Sequence, residues 1–228
     1  LTPIKLSAER IRRKYASEVT DPEKLTDMTD VIMRQTDDLR RIVDEFSKFA
    51  RMPEPDLRED DLAALLRGAV TLQEAGQPDV TIRADLPDTP VLADVDGTMI
   101  SQAFTNLIKN AGEAIETLIE KGAPDGFTPE VRVDMTLTDA GARIVISDNG
   151  IGLPEDRVRL FEPYVTTRDK GTGLGLPIVK KIIEEHGGTL MLSDADAFTP
   201  GAHRGAAAII TLPILSQAAG TAETRITA

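Results

Sequence analysis

Asn106-Leu107-Ile108-Lys109-Asn110-Ala111-Gly112-Glu113-Ala114 lies inside a stretch that Asp96 can cap and that runs to about Lys121. Its helical spacing puts Asn106 and Asn110 one turn apart on one face. Phe104, Leu107, Ile108, Ala111 and Ala114 surround them, so the helix is expected to be packed, not solvated. Two amide oxygens on one face can meet a common ion. Amide oxygens are hard, neutral ligands suited to Mg²⁺, which keeps several waters and takes the rest of its shell from phosphates.

Two glycine clusters follow: Asp148-Asn149-Gly150-Ile151-Gly152 after a strand, and Gly171-Thr172-Gly173-Leu174-Gly175 before a helix of about 175–186. Either alone would serve as a tight turn. The second stands at a helix N-terminus, where unpaired N–H groups and the helix dipole attract phosphate, and Lys170 adds a positive charge beside it. No G-x-x-x-x-G-K-[ST] occurs, and neither cluster fits G-x-G-x-x-G in a βαβ context. A different nucleotide fold is required.

Around these motifs the periodicity alternates. A short helix over Ala63–Leu72 precedes a half-buried strand (Val80, Ile82, Ala84, Leu86) and a shorter one at Val91–Ala93. Beyond the long helix, Val131–Leu137 and Ala142–Ile146 read as strands, as do Thr189–Ser193 and Ala206–Leu212. This order predicts an α+β layer, one mixed sheet with its helices on one face.

Upstream the period changes. Leu25, Met28, Ile32, Leu39, Ile42, Phe46 and Phe49 follow a heptad seam with only Gln35 polar in the series. With the shorter amphipathic stretch 3–15 it predicts an αα-hairpin that buries too little surface alone and pairs with a second copy into a four-helix bundle. The expected organisation is a hairpin over 1–52, a linker at 53–56 (Pro53, Pro55), a catalytic domain over 57–215 and a disordered tail over 216–228.

The 228 residues carry a formal charge of −12, which disfavours nucleic acid and anionic membrane as partners. With no cysteine and two histidines, disulfides, thiolate nucleophiles and histidine metal sites are not expected. No run reaches the roughly 20 apolar residues of a membrane span. A soluble, cytoplasmic fragment without membrane contact is the expectation, and the first residue, Leu1, suggests a longer parent.

Asn106–Ala114, Asp148–Gly152, Phe161-Glu162-Pro163-Tyr164 and Gly171–Leu176 together resemble, in order, the N, G1, F and G2 boxes of sensor histidine kinases of two-component systems. The strand ending Thr211-Leu212-Pro213 also matches. The resemblance implies a Bergerat-type (GHKL) α/β sandwich that binds ATP and Mg²⁺. Asp148 would accept the adenine amino proton with Thr211 behind it, while Gly150 and Gly152 would let the backbone approach the base. Asn110 with Asn106 would hold Mg²⁺, and Lys109 and Lys170 would meet phosphate charge. Residues 153–172 would form a mobile lid hinged at Phe161 and Tyr164, and the amides of Gly171, Thr172, Gly173, Leu174 and Gly175 would cradle the phosphates.

Leu1–Tyr15 and Asp44–Pro53 look like nitrogen-regulation sensor kinases of the NtrY type. In that family a His-Glu-x-x-Asn-Pro phosphoacceptor motif precedes the position of Leu1. It is absent here, so no complete catalytic set is expected and the chain should not autophosphorylate on that site. His186 at a helix end and His203 in a loop are off the hairpin. The resemblance further implies a homodimer through the hairpin, a response-regulator partner of the NtrX kind, and a parent anchored in the inner membrane.

Two other readings stand beside the kinase. Hydrolytic relatives resembling gyrase, MutL and Hsp90 carry a Glu base four residues before the metal-binding Asn. Here that position is Asn106, which cannot take a proton at neutral pH. A nucleotide-controlled dimerisation and docking module without catalysis is the third reading.

Overall fold

The computed structural model describes residues 1–50, 52–165, 172–199 and 203–215. Lys170, Gly171 and the expected tail from Ser216 lie outside the described residues. By compactness the chain divides into two units, residues 1–53 with 163–174, and residues 54–162 with 175–228.

The smaller unit holds α1 (Thr2–Tyr15) and α2 (Pro22–Ala50). Asp21 caps α2, its carboxylate accepting from Lys24 N–H at 3.0 Å, and proline stands at the first helical position. Two ion pairs set the antiparallel register, Lys5 with Asp37 at 2.7 Å and Arg12 with Asp30 at 2.6 Å. Among the described residues of the two helices, those buried are Ala8, Thr29 and Thr36. The seam residues Met28, Ile32, Leu39 and Phe46 are exposed, as are Ile4, Ile11 and Tyr15 of α1. The side chain of Phe49 lies outside the described set.

The larger unit is an α/β layer. A two-stranded antiparallel ribbon joins β1 (Arg58–Asp61) to β3 (Leu92–Val95). The main sheet has β2 (Thr81–Asp85), β4 (Glu130–Thr138), β5 (Gly141–Asp148), β6 (Thr189–Asp194) and β7 (Ala206–Leu212) in the order β2-β4-β5-β7-β6. Only the β2/β4 pair is parallel, because the crossover between them runs through a helix; the other pairs are antiparallel. The mixed sheet expected from sequence is thus present.

Helices α3 (Leu62–Gly76), α4 (Gly97–Glu120) and α5 (Gly175–Glu185) supply the core with Leu62, Leu66, Ile100, Phe104, Ile108, Ile115, Ile182 and Ile183, all fully buried. Inward-facing Val131, Val133, Ile144, Ile146, Ile210 and Leu212 are likewise buried. Burial of each such side chain contributes roughly 1.5–3 kcal/mol. The alternate positions Arg83, Arg132, Asp134 and Arg143 face the other side.

Two aspartates start the helices. Asp61 accepts from Ala63 N–H at 3.0 Å and from Val91 N–H at 2.9 Å, so it caps α3 and ties it to β3. Asp96 accepts from Thr98 and Met99 N–H at 3.0 and 3.1 Å and from Asp56 N–H at 3.2 Å. Those bonds, Met99's first, hold its carboxyl below the ordinary aspartate range. Helix α3 runs four residues beyond the expected end at Leu72, and β1 was not expected at all.

Candidate nucleotide site

Asp148 ends β5 opposite Val131 and is 4 % exposed. Its Oδ1 accepts from Gly150 N–H at 2.8 Å and from Ala206 N–H at 3.2 Å. A Cβ at Gly205 would fall on the Asp148 carbonyl and carboxylate, so only glycine lets β7 begin that close. The carboxylate is therefore gripped from two loops, one on each side.

Gly150 packs against α4. A Cβ there would strike the α4 backbone at Ala114 and Ile115, and Ile151 N–H donates to Ala114 C=O at 3.1 Å. The missing Cβ admits helix α4 to close approach. Gly152 has φ +81°, and a Cβ there would stand 3.4 Å from the carbonyl oxygen of Arg204.

Thr211 is not brought to Asp148. It pairs with Arg143, five residues back along β5, and that register puts it on the face opposite Ile144, Ile146 and Asp148. Strand alternation fixes this: Ala206, Ala208, Ile210 and Leu212 take the inner side, and Thr211 cannot join them. The neighbours of Asp148 on that side are Gly205 and Ala206.

Asn106 and Asn110 are half-buried on α4. A Cβ at Gly175 would stand 3.9 Å from Asn110 Nδ2, so the first turn of α5 meets the second asparagine. Lys109 is exposed, with Nζ 3.6 Å from Glu113 Oε1. Phe161 sits on a 3₁₀ turn (Val158–Phe161) with Lys180 Nζ 5.0 Å from its ring centroid.

In the smaller unit, Tyr164 adopts φ +68° and donates its N–H to Gly173 C=O at 3.1 Å. Its ring lies 6.0 Å from that of Phe46. Gly173 (φ +69°) is obligatory there, since a Cβ would meet the Tyr164 backbone at 2.6 Å. Thr172 and Leu174 flank it.

His186 is buried at 4 % exposure with both ring nitrogens engaged: Nδ1 lies 2.7 Å from Ile182 C=O, and Nε2 accepts from Asp96 N–H at 2.9 Å. That pattern requires the neutral ring with its proton on Nδ1, and it joins α5 to the start of α4. His203 is exposed in a loop.

Asn149 escaped the sequence reading. Its Oδ1 accepts from Glu130 N–H at 3.1 Å and its Nδ2 donates to Thr128 C=O at 2.7 Å, pinning the Asp148 loop to the start of β4. An Asn between Asp and Gly is an ordinary turn residue, so nothing in the sequence marked it. Among the described residues no cluster of three His, Cys, Asp or Glu could hold a metal ion.

The profile of the histidine kinase-, DNA gyrase B- and HSP90-like ATPases matches residues 95–216, the span from the cap of α4 past the end of β7. The chain belongs to this family. It is 48 % identical over 199 residues to nitrogen regulation protein NtrY of Azorhizobium caulinodans, covering 86 % of this chain and 25 % of that protein. It is 33 % identical over 197 residues to a putative sensor histidine kinase NtrY-like of Rickettsia typhi, covering 86 % and 32 %. The chain thus spans a quarter to a third of these relatives. Among solved structures, the mycobacterial sensor histidine kinase MprB superposes with a TM-score of 0.57 at 28 % identity, covering 69 % of this chain and 97 % of that one. These likenesses identify the GHKL domain as the ATP-binding catalytic portion of an NtrY-like sensor histidine kinase. No helix among the described residues is long and apolar enough to cross a membrane.

Proposed function

We propose that the larger unit binds Mg·ATP and donates its γ-phosphoryl group to a histidine on a hairpin of this kind, from which it passes to a response-regulator aspartate of the NtrX kind. The carrying observation is the seating of Asp148 by Gly150 and Ala206 beside the helix that bears Asn106 and Asn110. A carboxylate held by two backbone N–H groups is a fixed acceptor, which suits the 6-amino group of adenine.

The residues also fit a magnesium ion held mainly by phosphates. Asn110 and Asn106 offer neutral oxygen donors one turn apart, and no carboxylate cage competes among the described residues. Mg²⁺ would neutralise charge on the β- and γ-phosphates. Around it the α5 N-terminus at Gly175 offers N–H donors to phosphate, and Lys109 supplies a cation. Lys109 is exposed and its contact with half-buried Glu113 is long at 3.6 Å, so exchanging the carboxylate for a phosphate costs little. The protein's part is positioning and charge neutralisation, the main demands of phosphoryl transfer.

Asn106 favours transfer over hydrolysis. An amide at this point of α4 cannot deprotonate water, as the Glu of hydrolytic relatives does. The exposed seams of α1 and α2 support pairing of two copies, and a cytoplasmic site beneath a membrane-anchored parent is part of the same reading.

Calorimetric titration with Mg·ATP tests the site. Asn110→Ala should abolish the magnesium-dependent part of binding, and Asp148→Asn should weaken ATP by about tenfold or more. Unchanged affinity in both variants would refute the assignment. Transfer of labelled γ-phosphate to a hairpin carrying the acceptor histidine separates the kinase from an ATPase, which would release free phosphate without transfer.

A further inference from the structure

Asp148 is not held by its own loop alone. Ala206 donates to it and Gly205 lies against it, and both belong to the end of the β6–β7 connection. Ala195 N–H on Gly205 C=O (3.1 Å) brings the two ends of that connection together. Within it, Phe198 lies beneath the Arg132 guanidinium, whose central carbon is 4.0 Å from the ring centroid, and Arg132 Nη2 reaches Phe198 C=O at 3.4 Å. A cation on an aromatic face, partly withdrawn from water, is a directional contact.

Arg132 is itself fixed. Its Nε donates to Glu130 Oε1 at 2.6 Å, and Glu130 is 8 % exposed with Arg83 as its second cation at 3.6 Å. The Glu130 N–H goes to Asn149, the neighbour of Asp148. The start of β4 thus braces both loops that grip the carboxylate, one through Asn149 and the other through Arg132 and Phe198. None of Glu130, Arg132 and Phe198 lies in the four motif boxes.

We propose that Arg132 is a positioning residue for base recognition: stacked on Phe198, it fixes residues 195–198, which through Ala195 N–H on Gly205 C=O steady the Gly205–Ala206 seat that holds Asp148 in line with the adenine amino group. A hydrogen bond weakens steeply when its angle departs from linear, so a small displacement of the carboxylate costs selectivity before it costs fold. The inference rests on the reading that Asp148 contacts that amino group.

The test compares ATP with purine riboside triphosphate, which lacks only the 6-amino group, by calorimetry on the 228-residue chain with magnesium present. The parent should prefer ATP by about tenfold or more, the scale of a hydrogen bond to a charged group. Arg132→Met should shrink that preference to about threefold or less with purine riboside triphosphate affinity unchanged, Phe198→Leu should do the same, and Phe198→Tyr should retain the parental ratio. A full preference in Arg132→Met, or an equal loss for both nucleotides, overturns the proposal; if that variant does not fold, Phe198→Leu decides it by the same criteria. A parent with no preference would instead overturn the Asp148 reading, and this proposal with it.

Discussion

Helices α2 and α4 carry the same kind of amphipathic signal and dispose of it in opposite ways. Helix α4 buries Ile100, Phe104, Ile108 and Ile115 completely within its own unit. Helix α2 buries Thr29 and Thr36, whose hydroxyls return to the carbonyls of Leu25 and Ile32, and leaves Met28, Ile32, Leu39 and Phe46 exposed. A periodic apolar stripe therefore says that a face is to be covered, not that its own chain covers it. The larger unit is self-sufficient in apolar contacts; the smaller leaves its seam exposed.

Cutting the hairpin from the rest of the chain breaks that comparison most severely. Residues 54–228 should unfold in one cooperative transition, while a peptide of residues 1–53 should be largely unfolded when dilute and gain helix as its concentration rises, since isolated helices of this kind are marginal in water. Circular dichroism over a concentration series checks it. High helicity independent of concentration would show that the hairpin needs no second copy.

Single substitutions sharpen the contrast on a smaller scale. Phe104→Ala should cost about 3–5 kcal/mol in urea denaturation, because it opens a cavity at a fully buried position of α4. Met28→Ala, at a residue 59 % exposed, should change monomer stability by roughly 0.5 kcal/mol or less and instead weaken self-association in sedimentation velocity. Equal costs at the two positions would remove the distinction between a filled and an unfilled face.

The parts legible in the sequence were those where one residue type has one physical use. The Asp96 cap, the run of apolar residues on α4 and the alternation in β4, β5 and β7 all stand where the pattern placed them. Strand β1 was illegible because Arg58-Glu59-Asp60-Asp61 has no strand-forming side chain; its conformation comes from pairing with β3 and from the cap that Asp61 gives α3. Thr211 was misplaced for a different reason. A motif gives spacing along the chain, but strand register decides the face, and one residue's offset sends a side chain to the other side. Gly150 and Gly205 show the same limit: sequence marks a glycine as needed without saying whether a ligand, a helix or a carboxylate crowds it.

The smallest predicted effects come from two aspartates of the larger unit, and they have opposite signs. Asp96 has its carboxyl held low by the N–H bonds of Met99, Asp56 and Thr98. A lowered folded value means that its contribution is complete above the unfolded aspartate pKa and is lost as pH falls through the folded one, so Asp96→Ala should cost about 1 kcal/mol at neutral pH and progressively less below about pH 4. Asp134 is pushed the other way, first by partial burial and then by Asp85, its partner in register on β2, with Arg132 opposing. A raised folded value means that ionisation costs stability at neutral pH and that the cost disappears once the group is protonated. Asp134→Asn should therefore stabilise the unit by a few tenths of a kcal/mol at pH 7, the scale of facing like charges on adjacent strands, and by nothing in acid. Thermal melts of both variants at pH 3 and pH 7 check the signs. If Asp134→Asn destabilises at neutral pH, the carboxylate is held by Arg132 more strongly than it is repelled by Asp85, and the braced edge of β4 extends one residue pair further along the strand.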